Sequence, residues 1–71
     1  MPEKIFVDSS NIEGIGYDDN RQELHVWFLS GSYYIYSEVP RQIFDDFINA
    51  PSKGSFLNRE VKGRGFQFTK Q

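Results

Sequence analysis

The residues whose types could support acid–base or metal chemistry are few and poorly spaced for it. His25 is the only histidine and the chain has no cysteine, so a metal ion would need carboxylates from distant segments. Asp45 and Asp46 are neighbours on a predicted helix and point in different directions, which argues against an acid–base pair. Because no nucleophile, base and orienting group can be assembled from these residues, we expect no enzymatic activity, no metal and no cofactor.

The segment Pro51-Ser52-Lys53-Gly54-Ser55 is the most suggestive polar stretch. Free N–H groups at a helix start, together with a flexible glycine and a lysine, can bind an anion. The same residues also suit a helix cap in a tight turn between two helices, so both interpretations stay open. The spacing of a P-loop is missing, which excludes a nucleoside triphosphate site of that kind. Arg59, Lys62 and Arg64 follow at spacings that can share one side of a short helix and its exit.

These basic residues belong to an uneven charge distribution. Residues 1–40 carry two basic and seven acidic side chains, residues 41–71 carry six basic and three acidic ones, and the net charge is −2. A basic C-terminal part can meet an anionic partner, or it can be a solvated surface with no partner.

The length of 71 residues indicates one domain, because two halves would each fall below the ~40 residues that fold unaided. Aromatic residues make up 17% of the chain, which we interpret first as dense packing for a small core. The longest apolar run, residues 26–29, is too short to cross a membrane. The first residues contain no apolar stretch of signal-peptide length, which favours a cytoplasmic protein.

The spacing of apolar residues predicts an α+β domain. Three strands joined by short polar turns form an antiparallel β-meander, which packs against two C-terminal helices. We expect strands at 11–18, 23–29 and 33–36, a first helix from Pro40 to Ala50, and a shorter helix capped by Ser52 and closed by Gly63 and Gly65. We assign residues 1–9 to a lead-in with a short extended piece at 5–7, residues 10–65 to the single domain, and residues 66–71 to a tail. Its alternation at 66–69 suits a short extra edge strand or an apolar flap.

Several short motifs occur together in one order along the chain. They are Ser10-x-Ile12, Ile15-Gly16-Tyr17-Asp18, Leu24-x-Val26-x-Phe28, Gly31, Tyr34-x-Tyr36, Val39-Pro40, Ser52-Lys53-Gly54 and Phe56-Leu57-Asn58. On these motifs the chain resembles the KTSC domain, a small module found alone in bacterial and phage proteins and at the C-terminus of some lysyl-tRNA synthetases. The resemblance implies a suggested, unproven RNA-binding role, and it marks a set of structural motif residues: Tyr34, Tyr36, Ser52, Gly54 and Phe56. Leu57 departs from it, since the family often has a second aromatic residue there, and residues 65–68 echo its aromatic tail only loosely.

The register of the last two predicted strands decides which aromatic residues face the helices, because a slip of one residue exchanges the two faces. A two-residue turn at Ser30-Gly31 would place Trp27 opposite Tyr34, and a three-residue loop at 30–32 would place Phe28 there. The resemblance favours the second register, since its two motifs then share one face. The helix-covered face then holds Leu24, Val26, Phe28, Tyr34 and Tyr36, and the other face holds His25, Trp27, Leu29, Tyr33 and Ile35. That second face is apolar for a solvated surface, and the tail residues Phe66 and Phe68, a second copy or a partner could cover it.

Two functions are compatible with these features. In the first, the chain binds RNA or another single-stranded nucleic acid: Lys53, Arg59, Lys62 and Arg64 neutralise phosphates, and Trp27 or Tyr33 stacks on unpaired bases. Four phosphate contacts predict a slope of log affinity against log salt of about −2.8. In the second, the apolar face of the sheet binds another protein or a second copy of the chain. We expect no membrane partner.

Overall fold

The computed structural model describes residues 2–71, which form one antiparallel sheet with helices on one side. The sheet has five strands in chain order, whereas the sequence predicted three with a short tail strand in addition. The strands are β1 (Ile5–Phe6), β2 (Ile12–Asp18), β3 (Glu23–Phe28), β4 (Tyr33–Tyr36) and β5 (Phe68–Lys70). The three predicted strands are thus the middle of the sheet, and the extended piece near residue 5 and the tail add one short strand at each edge.

The β3–β4 hairpin adopts neither of the two predicted registers. Val26 lies opposite Tyr34, and Trp27 lies opposite Tyr33. The loop has three residues, as expected, but it begins one residue earlier, because Phe28 N donates to Ser32 O at 2.8 Å. Gly31 occupies the left-handed position that such a loop needs, at φ 99°. Relative to the expected register the pairing is shifted by two residues, and an even shift leaves each side chain on its predicted face.

The face of the sheet that the helices cover, here called the inner face, supplies half of the core. Leu24 and Val26 are fully buried there, and Tyr36 is 2% exposed. Helix α1 (Arg41–Asn49) packs across this face with a buried stripe of Ile43, Phe44 and Phe47. Its start follows Pro40, whose extended ψ of 146° leaves it just outside the helix rather than at the predicted first position. The predicted amphipathic helix is therefore confirmed with a boundary one residue later.

The opposite side of the sheet, the outer face, is partly covered by the N-terminal segment Pro2–Lys4. Two glycines of β2 make this approach possible: a Cβ on Gly14 would lie 2.9 Å from Ile5 O, and one on Gly16 would lie 2.6 Å from Glu3 O. Lys4 Nζ lies 2.7 Å from Glu13 and 5.2 Å from the ring centre of Trp27. Of the three covers considered for this face, the tail residues Phe66 and Phe68 are excluded, because the tail extends the sheet beside β4 instead.

The C-terminal helical region runs without a break from α2 (Lys53–Phe56) into a π-helical segment (Leu57–Lys62). Phe56, Leu57 and Val61 are buried against the inner face, as predicted. The segment ends at Gly63, whose N–H donates to the carbonyl oxygen of Asn58, five residues earlier, at 2.9 Å. Gly65 has a φ of 77°, which lets the chain turn back toward β4 and form β5.

Candidate nucleic-acid interface

A groove of about 650 Å³ opens on the inner face, between the exit of the π-helical segment and the end of the sheet. The sheet forms the floor of the groove, the end of the π-helical segment forms one wall, and the C-terminal tail forms the other wall. The lining residues are Phe28, Ser30, Ser32, Tyr34, Tyr36, Lys62, Gly65, Phe66 and Phe68. A volume in this range is typical of sites that take small molecules.

The floor and the tail-side wall of the groove carry aromatic rings in mutual contact. The rings of Phe28 and Tyr34 meet edge to face with centres 5.6 Å apart, and Phe68 lies 5.6 Å from both Tyr34 and Tyr36. Tyr36 is almost fully buried, and this burial raises the pKa of its hydroxyl. Tyr34 is only half-buried and Phe68 is 58% exposed. The groove therefore offers accessible ring faces on a fixed aromatic base.

Two lysines on the inner face have no acidic partner among the residues that the structure describes. Lys62 is one of the lining residues, and Lys70 lies directly opposite Tyr34 in the β4–β5 ladder, which places it on the inner face as well. Within residues 2–71, neither ammonium group takes part in an ion pair. The arrangement combines ring faces with uncompensated positive charge, which is the combination that single-stranded nucleic acid requires.

Arg59 and Arg64, the two arginines of the predicted site, both form an ion pair with Glu60. Arg59 Nε lies 2.9 Å from one oxygen of Glu60, and Arg64 Nη2 lies 2.8 Å from the other. The hydrogen bonds from Arg64 and then Arg59 lower the pKa of Glu60. Both guanidinium groups are more than half exposed, and the shared carboxylate halves the net positive charge that this pair offers to a phosphate.

Lys53 lies apart from the other basic residues. It lines a separate polar groove beside the loop before β2, and its Nζ donates to Ala50 O at 2.5 Å. Ser52 accepts a hydrogen bond from Ser55 N at 3.3 Å and so caps α2. A Cβ on Gly54 would lie 3.3 Å from Asn11 Oδ1. These contacts account for the Ser52-Lys53-Gly54 motif as a helix cap and interhelical turn.

Trp27 and Tyr33 lie on the outer face, away from the groove. Their rings are stacked with centres 4.8 Å apart at 10°. Beside them His25 is 4% exposed, and its Nδ1 lies 2.6 Å from the Tyr33 hydroxyl. His25 Nε2 is buried without a hydrogen-bond partner among residues 2–71, and burial lowers the pKa of this imidazole against a smaller opposing effect of Glu23. The structure thus separates the predicted stacking residues from Lys62, the predicted cation that lines the groove.

The sequence analysis missed most of the groove. Phe28 and Tyr34 were expected on this face but as core. The alternation at 66–69 was interpreted as an edge strand or an apolar flap, and neither Phe68 nor Lys70 was assigned to a binding site. Their alternation with Thr69 was the available signal, since residues 68 and 70 share a face once the tail is a strand.

The KTSC domain family model matches residues 8–66 of this chain, which is most of its length. The chain belongs to the KTSC domain family. The crystal structure of a KTSC domain protein from Yersinia pestis superposes with a TM-score of 0.91 at 35% identity, covering 100% of this chain and 99% of that one. The resemblance read from the motifs is therefore confirmed, and the α+β architecture is that of the family.

Two relatives place the domain in different contexts. A protein of Tsukamurella paurometabola is 48% identical over 58 residues, which are 82% of this chain and 87% of that protein. A lysine–tRNA ligase of Nostoc punctiforme is 41% identical over 61 residues, which are 86% of this chain but only 11% of the ligase. No helix within residues 2–71 has the length and apolar character needed to cross a membrane.

Proposed function

We propose that this KTSC domain is a non-enzymatic module that binds single-stranded RNA through the groove on its inner face. The observation that carries the proposal is that two accessible rings, Tyr34 and Phe68, share the inner face with Lys62, which lines the groove, and with Lys70, which lies opposite Tyr34 in the sheet. Proteins that bind unpaired nucleotides stack bases on aromatic side chains and neutralise the backbone with basic ones. The proposal moves the stacking residues from Trp27 and Tyr33 to the inner face.

Two further observations support a ligand of this class. Although the whole chain has a net charge of −2, residues 41–71 carry six basic and three acidic side chains, and none of the residues that line the groove is acidic. In addition, a relative of the chain is a segment of a lysine–tRNA ligase, a protein whose name connects it with RNA.

The test is an NMR titration of labelled protein with a short unstructured RNA, followed by affinity measurements at about 50 and 200 mM salt. Two phosphate contacts on a single strand predict a log–log slope of about −1.4, hence a loss of about 7-fold over this range. Four contacts, as the sequence suggested, would give about 50-fold. The amides of β4, β5 and residues 62–66 should shift most. Lack of binding at the lower salt, or shifts confined to the outer face, would refute the proposal.

Matched lysine variants separate the groove from the other basic residues. Lys62→Gln and Lys70→Gln should each weaken binding and reduce the salt slope by about 0.7. Lys53→Gln removes the same charge from the separate polar groove and should leave the slope unchanged. Equal losses for all three variants would indicate a general electrostatic effect without a defined site.

A second candidate function is protein interaction or self-association through the outer face. It is favoured by Phe6, which is 71% exposed beside the stacked pair of Trp27 and Tyr33. The segment Pro2–Lys4 already occupies part of this face, which reduces the area left for a partner. Sedimentation over a wide range of concentrations tests self-association, and Trp27→Ala should weaken it without changing its salt dependence.

A further inference from the structure

The wall of the groove formed by the tail is too close to the floor for a base to enter between them. The ring centres of Tyr34 and Phe68 are 5.6 Å apart, with the planes tilted by 52°. A base stacked between two rings holds them about 7 Å apart, since each contact distance is about 3.5 Å. Insertion of a base at this point therefore requires the two rings to separate by about 1.4 Å, given the observed 5.6 Å.

The floor is not the part that can move. Tyr36 is 2% exposed and belongs to the main core cluster, and Tyr34 lies beside it on β4 and packs against the same cluster. The backbone of β4 is held on its other side by β3, through four paired positions. A shift of Tyr34 would disturb the centre of the sheet, and close-packed cores resist such changes.

The tail, in contrast, lies at the exposed edge of the sheet, and its apolar contacts come from Phe66 and Phe68 alone. All three residues of β5 are exposed, and the strand pairs only with β4, at the edge of the sheet. Beyond this ladder, Ser37 N donates to Gln67 O and Gln71 N donates to Tyr33 O, both at 2.8 Å. The connection to the helix passes through Gly65, whose φ is 77° and which has open space around it. Short exposed elements with few apolar contacts open with the lowest free energy in a fold.

We propose that the C-terminal tail is a movable wall of the groove, which opens at Gly65 and closes with Phe68 over one unpaired RNA base stacked on Tyr34. The inference rests on the proposed RNA-binding function and adds the mode of entry. Lys70 moves with the wall and Lys62 stays with the helix, so closure brings the two ammonium groups to the phosphates on either side of the inserted base. A duplex cannot present such a base, and the groove therefore selects unpaired nucleotides.

A disulfide that locks the tail tests this mechanism. Ile35 and Thr69 are directly paired on the outer side of β4 and β5, in a hydrogen-bonded position where Cα atoms lie about 5.5 Å apart, which suits a disulfide. The natural chain has no cysteine, so I35C/T69C contains one defined pair. We expect the oxidised variant to bind unstructured RNA at least 10-fold more weakly than the reduced variant, and the natural chain to be insensitive to oxidant.

The outcomes distinguish the mechanism from the function on which it rests. Equal binding by the oxidised and reduced variants would overturn the movable wall while leaving the groove as the RNA site. Absence of RNA binding by the natural chain would overturn both. A second pair of variants tests stacking by residue 68 without the disulfide. Phe68→Leu should weaken RNA binding about 5-fold or more, which corresponds to the lower end of the free energy contributed by one stacked base. Phe68→Tyr keeps an aromatic ring and should bind RNA as the natural chain does. Equal affinities of the Leu and Tyr variants would contradict stacking by this residue.

Discussion

The substitution Gly16→Ala should detach the N-terminal segment from the outer face of the sheet. The added Cβ would lie 2.6 Å from Glu3 O and 3.4 Å from both Pro2 Cγ and the Trp27 ring. The closest of these atoms belongs to the backbone, so no change of side-chain rotamer relieves the overlap. The segment Pro2–Lys4 must therefore move away, while the central strands keep their register.

The expected cost follows from the contacts that depend on this segment. The ion pair between Lys4 and Glu13 is partly exposed and contributes roughly 0.2–1 kcal/mol, and the approach of Lys4 to the Trp27 ring contributes about 0.5–1 kcal/mol. Loss of both, together with solvent access to the buried His25, predicts a decrease in unfolding free energy of about 1–2 kcal/mol.

The decisive measurement is the same substitution in a chain that lacks Pro2–Lys4. Without the segment, the added methyl group has no backbone to displace, and alanine in a strand is favoured over glycine by roughly 0.5–1 kcal/mol. Urea unfolding of the four proteins should therefore give a destabilising effect in the full chain, a stabilising effect in the truncated chain, and a coupling of about 1.5–3 kcal/mol. The same cost in both chains would show that Gly16 is required for another reason and that the segment does not pack there.

Three other perturbations test the same structure. Burial lowers the pKa of His25 from its ordinary 6.5, so at lower pH the unfolded chain binds a proton that the folded chain does not. The unfolding free energy should therefore fall as the pH decreases below about 6.5. His25→Gln should flatten this dependence in urea titrations between pH 5 and 8. Tyr36→Ala should cost about 3–5 kcal/mol, enough to unfold so small a domain, and circular dichroism showing a folded variant would contradict its place in the core. Ser52→Ala should cost about 1 kcal/mol by removing the α2 cap, whereas Ser55→Ala, at an exposed side chain in the same turn, should cost little in thermal unfolding.

The faces of the central strands could be predicted from sequence because alternation fixes them independently of the exact pairing. Leu24, Val26 and Tyr36 are buried as expected, although the register that led to this assignment is wrong. The hairpin loop starts at Leu29 instead of Ser30, since Phe28 already closes it with Ser32. Loop length was readable from Gly31, but the position of the loop depends on hydrogen bonds that the sequence pattern does not specify.

The two edge strands could not be predicted with the same security because their stability comes from distant residues. β1 has two residues and β5 has three, too few for a periodic pattern to separate a strand from a loop. Their formation depends on the free edges of β2 and β4. Gly16 was interpreted only as part of a motif and Gly14 only as part of a strand, because their role in admitting the N-terminal segment is a tertiary contact.

The predicted site residues do not all lie together for a related reason: nearness in sequence was taken as nearness in space. Lys53 and Lys62 lie on one continuous helical region, yet they line separate grooves. Lys62 and Lys70 are separated by two glycines and a turn, and the tail strand returns the second lysine to the inner face, opposite Tyr34. Arg59 and Arg64 were counted as free charges although Glu60 lies between them in sequence and binds both.

The Ser52-Lys53-Gly54 motif and the tail side of the groove differ in how far contacts within the chain account for their residues. Each residue of Ser52-Lys53-Gly54 has a partner within the chain that accounts for its type: a backbone N–H, a helix-terminal carbonyl and the Asn11 side chain. Phe68 has no such account, since a ring that remains 58% exposed at a sheet edge adds little to a small core. Lys70 likewise lies opposite a tyrosine, where it finds no carboxylate. Side chains whose chemistry the fold does not use are those available to a ligand, and in this domain they converge on the tail side of the groove.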